Sequence, residues 1–140
     1  MSDLVHKALA HDSAPLHVSG AALYVDDVPE PRNLLHLAFG MSEQAHARIL
    51  SMGLSAVRAF PGVVAVYEAA DIPGENNVGP VVHDDRLLAD GIVEFLGQAL
   101  FLVAAESVKA ARMAARLGKV EYDPLPALLT IEEARAAERR

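Results

Sequence analysis

No cysteine occurs in the 140 residues. That removes disulfides, thiolate zinc sites, iron–sulfur ligation and a cysteine nucleophile from the chain's own chemistry. Tryptophan is also absent and aromatics make up only 5%, so no aromatic platform is expected on which bases or sugars would stack. Basic residues are outnumbered 12 to 19, for a formal net charge of -7. Phosphate backbones need clustered Lys and Arg, so nucleic acid is not expected as a partner. No apolar run reaches 18 residues, and no membrane helix is expected. The first residues mix histidines and acids with apolar side chains, unlike a signal peptide. The expectation is a soluble, cytoplasmic chain.

The usual catalytic signatures are missing as well. Gly74, Gly79, Gly91 and Gly97 stand in neither Gly-x-x-x-x-Gly-Lys nor Gly-x-Gly-x-x-Gly spacing, which removes a phosphate cradle. Ser13, Ser19, Ser42, Ser51, Ser55 and Ser107 lack a Gly-x-Ser-x-Gly setting, which leaves serine catalysis unsupported.

What the chain does have is enough apolar material for one core. It is 52% hydrophobic, mainly Ala, Val and Leu, and a chain of this length buries about 70% of its unfolded surface. The strongest drive to collapse lies in residues 99–103, Ala-Leu-Phe-Leu-Val, where each large side chain removed from water contributes about 1.5–3 kcal/mol. A run with no polar side chain must be covered on both faces, so it is read as the central strand.

Ser107 then caps a helix with Val108, Ala111, Ala114, Ala115 and Leu117 inward and Lys109, Arg112 and Arg116 outward. Gly118 is read as its left-handed stop. Val120 and Tyr122 resume a strand that Pro124 and Pro126 end, and the strand–helix–strand unit is long enough for parallel pairing.

Elsewhere, residues 1–19 are expected to form an extended N-terminal arm and residues 20–140 a single domain. Strands are predicted over 20–25, 34–39, 47–52, 63–67 and 92–95, with a turn at 40–44, a short helix over 55–60 and a long loop from 71 to 85. Asp26-Asp27-Val28-Pro29-Glu30-Pro31 suppresses both helix and ladder. Thr130-Ile131-Glu132-Glu133 is a capping box that opens a last helix over 131–140, whose charged end has no stop signal.

Few side chains suggest chemistry. His83-Asp84-Asp85 could hold a divalent cation or shuttle protons, but adjacent residues point apart and the reading preferred is a solvated turn. His6, His11, His17, His36 and His46 show no His-x-x-x-His spacing. Asp26 and Asp27 more simply bound a turn. Gln98 could reach a ligand through its amide, though bonding to backbone is the plainer reading. No catalytic, cofactor-binding or metal-ligating residue is assigned.

Several motifs nevertheless resemble one family. Gly20-Ala21-Ala22-Leu23-Tyr24-Val25-Asp26-Asp27-Val28-Pro29, Ser42 with Ala45-His46-Ala47-Arg48-Ile49, Pro61-Gly62-Val63-Val64-Ala65-Val66 and Ala70-Asp71-Ile72-Pro73-Gly74 resemble, in order, the α/β hammerhead domain of the aldehyde oxidase and xanthine dehydrogenase family. Gly74-Glu75-Asn76-Asn77, His83-Asp84-Asp85 and Leu88-Ala89-Asp90 are more similar to bacterial xanthine dehydrogenase large subunits than to aldehyde oxidases. Gly97-Gln98, Ala104-Ala105-Glu106-Ser107 and Val120-Glu121-Tyr122-Asp123-Pro124-Leu125-Pro126-Ala127 complete the likeness. Gly53 departs from it, since the family commonly has an acidic residue there.

The resemblance implies an α+β hammerhead fold, a mixed sheet with two to three helices, forming the N-terminal part of a longer molybdenum-binding subunit. It implies that molybdenum–molybdopterin contacts, the catalytic glutamate and the substrate-orienting residues lie beyond this domain. The 2Fe-2S and FAD centres would belong to other domains or to a partner subunit. The expected partners are the rest of the molybdenum subunit and a FAD/iron–sulfur subunit. The isolated chain is expected to be inactive.

An alternative is a stand-alone binding or carrier-like module, because hammerhead motifs resemble lipoyl and biotinyl carriers. Such a carrier needs a lysine at a hairpin tip. Lys109 falls in a predicted helix, Lys119 just after it and Lys7 in the arm.

Overall fold

Both edges of the run 99–105 are taken by antiparallel neighbours. In the computed structural model, which describes residues 8–137, β5 (Ala99–Ala105) lies between β1 (His36–Met41) and β3 (Val63–Glu68). The register sets His36 opposite Ala105, Phe39 opposite Leu102 and Gly40 opposite Phe101, and Tyr67 opposite Leu102 on the other side. A second three-stranded sheet has the order β4 (Ile92–Val93), β2 (Ala47–Gly53), β6 (Lys119–Pro124), also antiparallel. The two share one core, in which Leu100, Phe101, Val103, Val57 and Val93 are the largest fully buried side chains.

The α+β class is as expected, with its central strand where the apolar run placed it. It differs in the sheets, which are two and antiparallel rather than one mixed sheet. The predicted parallel unit is replaced because β5 has no free edge, so α3 (Val108–Ala115) carries the chain across and β6 pairs with β2 instead. The strand predicted over 34–39 forms two residues later, at His36–Met41, and so takes in the start of the predicted 40–44 turn, while that over 47–52 forms as Ala47–Gly53; the chain changes sheet between them.

Two α3 expectations are corrected. Ala111 and Ala114 are wholly buried and Ala115 packs against the core. Val108, at the helix start, and Leu117, beyond its end, are instead exposed. Ser107 Oγ accepts the Ala110 N–H at 3.1 Å, as a cap should. Gly118 is not the left-handed stop, since the helix ends on Arg116 at φ -75° and the positive-φ glycines are Gly20, Gly62, Gly91 and Gly97.

Contacts divide the chain into Met1–Arg32 and Asn33–Arg140. In the first unit, the expected extended arm contains α1 (Ala14–Ser19). Pro15 sits in the first turn, where its missing N–H costs nothing, and Gly20 at φ 73° closes the helix. The predicted strand over 20–25 is absent among the described residues, and a 3-10 turn at Val25–Asp27 ends that stretch. Asp27 secures the turn by accepting the Tyr24 N–H at 3.0 Å.

With α2 (Ser55–Arg58) and α4 (Ile131–Ala137) the described residues hold four helices, more than the two to three expected, because the N-terminal stretch also forms one. None of those described is long and apolar enough to cross a membrane. The predicted extension of α4 to Arg140 lies partly outside the described residues.

Candidate functional site

Among the described residues, the only buried polar side chains belong to Ser42 and Gln98, and they meet at the end of β1 and the start of β5. Gly97, at φ 85°, makes the turn into β5. Its N–H donates to the Ser42 carbonyl, and the Ser42 N–H donates back to the Gln98 carbonyl, each at 2.9 Å. Gln98 Oε1 accepts the Glu94 N–H at 2.7 Å, and Ser42 Oγ exchanges bonds with the Gln44 backbone at 3.0 Å. The amide of Gln98 therefore fastens backbone, the plainer of its two readings.

Beside this clasp lies a cleft of about 460 Å³ bordered by His46, Glu94, Phe95, Leu96 and residues 126–129. His46 Nδ1 lies 2.6 Å from the Pro126 carbonyl. A carbonyl can only accept, so Nδ1 carries the proton there. A second cleft, of about 400 Å³, runs between the end of β1 and α3 and is lined by Glu43, Phe101, Arg112 and Arg116 among others. A third, of about 280 Å³, is lined almost wholly by apolar side chains: Phe39, Tyr67, Ile72, Pro73, Leu87, Leu88 and Leu102, with Asp71 at its rim.

His83, Asp84 and Asp85 are all exposed on the long loop, consistent with a solvated turn. No group of three or more His, Cys, Asp or Glu placed to hold a metal ion occurs among the described residues. His11 pairs with Ser13 at 3.0 Å and His17 with Tyr24 at 3.1 Å, within the first unit. His36 lies on β1; His6 and Lys7 lie outside the described residues. Lys109 is on α3 and Lys119 opens β6, neither at a hairpin tip.

The long loop is fastened by a residue that periodicity does not single out. Asn76 Nδ2 donates to the Leu88 carbonyl at 2.6 Å and its Oδ1 accepts the Leu88 N–H at 3.0 Å. Its place in the Gly74-Glu75-Asn76-Asn77 motif was the available signal. Glu133 is likewise structural: its carboxyl is held below the ordinary glutamate value of 4.5, first by the Leu129 N–H and then by the Thr130 hydroxyl and N–H.

The chain's donor set does not fit an iron–sulfur cluster. Iron–sulfur clusters require thiolates, and the chain has none. The clefts carry at most isolated imidazole, guanidinium or carboxylate groups.

The family model described as "Aldehyde oxidase and xanthine dehydrogenase, a/b hammerhead domain" matches residues 19–126. A xanthine dehydrogenase of Oryza sativa subsp. japonica is 44% identical over 130 residues, covering 93% of this chain but 10% of its own. Among solved structures, the aldehyde oxidoreductase of Desulfovibrio desulfuricans ATCC 27774 superposes with a TM-score of 0.80 at 30% identity, covering 89% of this chain and 15% of that one. The CO dehydrogenase of Oligotropha carboxidovorans gives 0.75 at 35% identity, covering 87% and 15%. The chain thus spans about a tenth of the length of the curated relatives it matches.

Proposed function

The chain belongs to the aldehyde oxidase and xanthine dehydrogenase family through its a/b hammerhead domain, and on that premise we propose that it is a structural domain of a xanthine dehydrogenase's molybdenum-binding subunit. Its work is to fold around β5 and to help frame the substrate channel and subunit contacts. The single observation that carries this is the asymmetry of the match: nearly the whole chain aligns, to a tenth of the relative.

The parent reaction in this reading is hydroxylation of xanthine or hypoxanthine, with water as the oxygen source and NAD as the electron acceptor. Molybdenum–molybdopterin, 2Fe-2S and FAD serve that reaction from the rest of the subunit and from a FAD/iron–sulfur subunit, in the cytoplasm. This domain contributes no catalytic, cofactor-binding or metal-ligating residue and does not turn over alone. Support comes from the missing thiolates and from Gln98, Ser42 and Asn76 being committed to backbone.

Peptide mapping of the native enzyme is the test. Finding residues 11–134 inside a polypeptide several times longer that also oxidises xanthine supports the reading. Finding them only in a free 140-residue species contradicts it.

A further inference from the structure

Among the described residues of the second unit, 20 large apolar side chains from Leu34 to Ile131 are exposed while eight larger than alanine are buried. They are not scattered evenly. The pleat sends Leu37, Phe39 and Met41 of β1 to the side away from α3, at 62%, 42% and 59% exposure. The register then sets Phe39, Leu102 and Tyr67 side by side across all three strands. Ile72 from the long loop and Leu87 just beyond it extend this row around the third cleft.

We propose that this outward face of the β1-β5-β3 sheet is where the remainder of the molybdenum subunit docks, the cleft between Phe39, Tyr67 and Leu102 receiving an apolar side chain from it. The inference rests on the reading of the chain as part of a longer subunit.

Two observations and one general principle select that occupant. The relatives carry roughly nine tenths of their length outside the matched region. A tethered surface on the same polypeptide reaches millimolar effective concentration, about what a flexible link supplies. The face has the make-up of a permanent interface, aromatic and aliphatic at its centre and nearly free of charge. Its one acid, Asp71, is already occupied by the Glu68 N–H at 2.8 Å. A second copy of this chain is the poorer occupant, because two bodies each of formal charge -7 repel.

The absence of cysteine makes the test direct. Tyr67→Cys and Phe39→Cys are introduced singly and labelled with a maleimide, in the 140-residue chain and in the complete enzyme, with modification read on the peptide itself. Lys109→Cys, on the charged side of α3, is the control. The expected result is rapid labelling of both positions in the short chain and labelling roughly tenfold or more slower in the complete enzyme, while Lys109→Cys changes by less than about twofold.

Equal labelling of Tyr67→Cys and Phe39→Cys in both settings overturns the docking face and leaves the parent reading standing. A short chain that elutes as a dimer and already protects both positions overturns the choice of occupant in favour of a second copy. If no complete enzyme contains this sequence, the parent reading falls and takes the docking face with it.

Discussion

The Phe101 ring lies directly over the bare Cα of its cross-strand partner Gly40, so close that any Cβ there would fall inside the ring's van der Waals surface. The same ring also abuts Gly118, where a Cβ would stand 2.5 Å from Cζ. Two glycines, one in β1 and one after α3, thus shape the slot for the largest buried side chain.

Gly40→Ala and Gly118→Ala should each therefore destabilise the chain by about 1–3 kcal/mol through overpacking. Gly74→Ala, which meets nothing within 4 Å, should change stability by less than about 0.5 kcal/mol. Urea denaturation of the three variants checks the ordering.

Leu100 is wholly buried at the start of the central strand, whereas Leu50 on β2 is 64% exposed. Leu100→Ala should cost about 2–5 kcal/mol from lost transfer energy and the cavity left behind. Leu50→Ala should be near neutral. Equal midpoints for the two in thermal melts would show that β5 is not the centre of the core.

Gln98 tests the seam. Replacing it by Leu keeps the volume but leaves the Glu94 N–H without its acceptor, which should cost about 1–3 kcal/mol for an unsatisfied buried donor. Gln98→Glu keeps an acceptor and should recover part of the loss. Hydrogen exchange at the Glu94 amide reports the bond itself.

The pH response of α4 follows from Glu133. Its folded pKa is depressed below 4.5 by the Leu129 N–H and then by Thr130, so the ionised form stabilises the folded cap. That contribution is present above pH 4.5 and disappears as pH falls through the lower folded value. A carboxylate NMR titration should give a midpoint below 4.5, and Thr130→Ala should raise it. Glu133→Gln should abolish the pH dependence of α4 helicity in this range.

Features that depend on neighbours in the chain were legible in the sequence. The unbroken apolar run marked β5, Ser107 marked the start of α3, and Thr130 with Glu133 marked the cap of α4, because each signal sits within a turn or two of what it controls. Motifs spread across the chain identified the hammerhead family. Partnership was harder to see. Nothing local in residues 34–39 and 47–52 says that they enter different sheets, since pairing is decided by edges available elsewhere. Gly118 was read as a local stop, although its necessity comes from Phe101, far away in sequence. The outward row at Phe39, Leu102 and Tyr67 stayed hidden for the same reason: which face of a strand is covered depends on where α3 lands. Gln98, Asp27 and the turn at 83–85 were legible as structural groups, whereas the Asn76 clamp needed the folded loop.

Xanthine hydroxylation by the purified 140-residue chain, supplied with NAD, tests the central claim most directly. The expected result is no turnover above the protein-free control, with activity present only when the complete enzyme is assayed alongside. Sustained urate formation by the short chain alone would contradict the view that this domain supports a reaction centre held elsewhere.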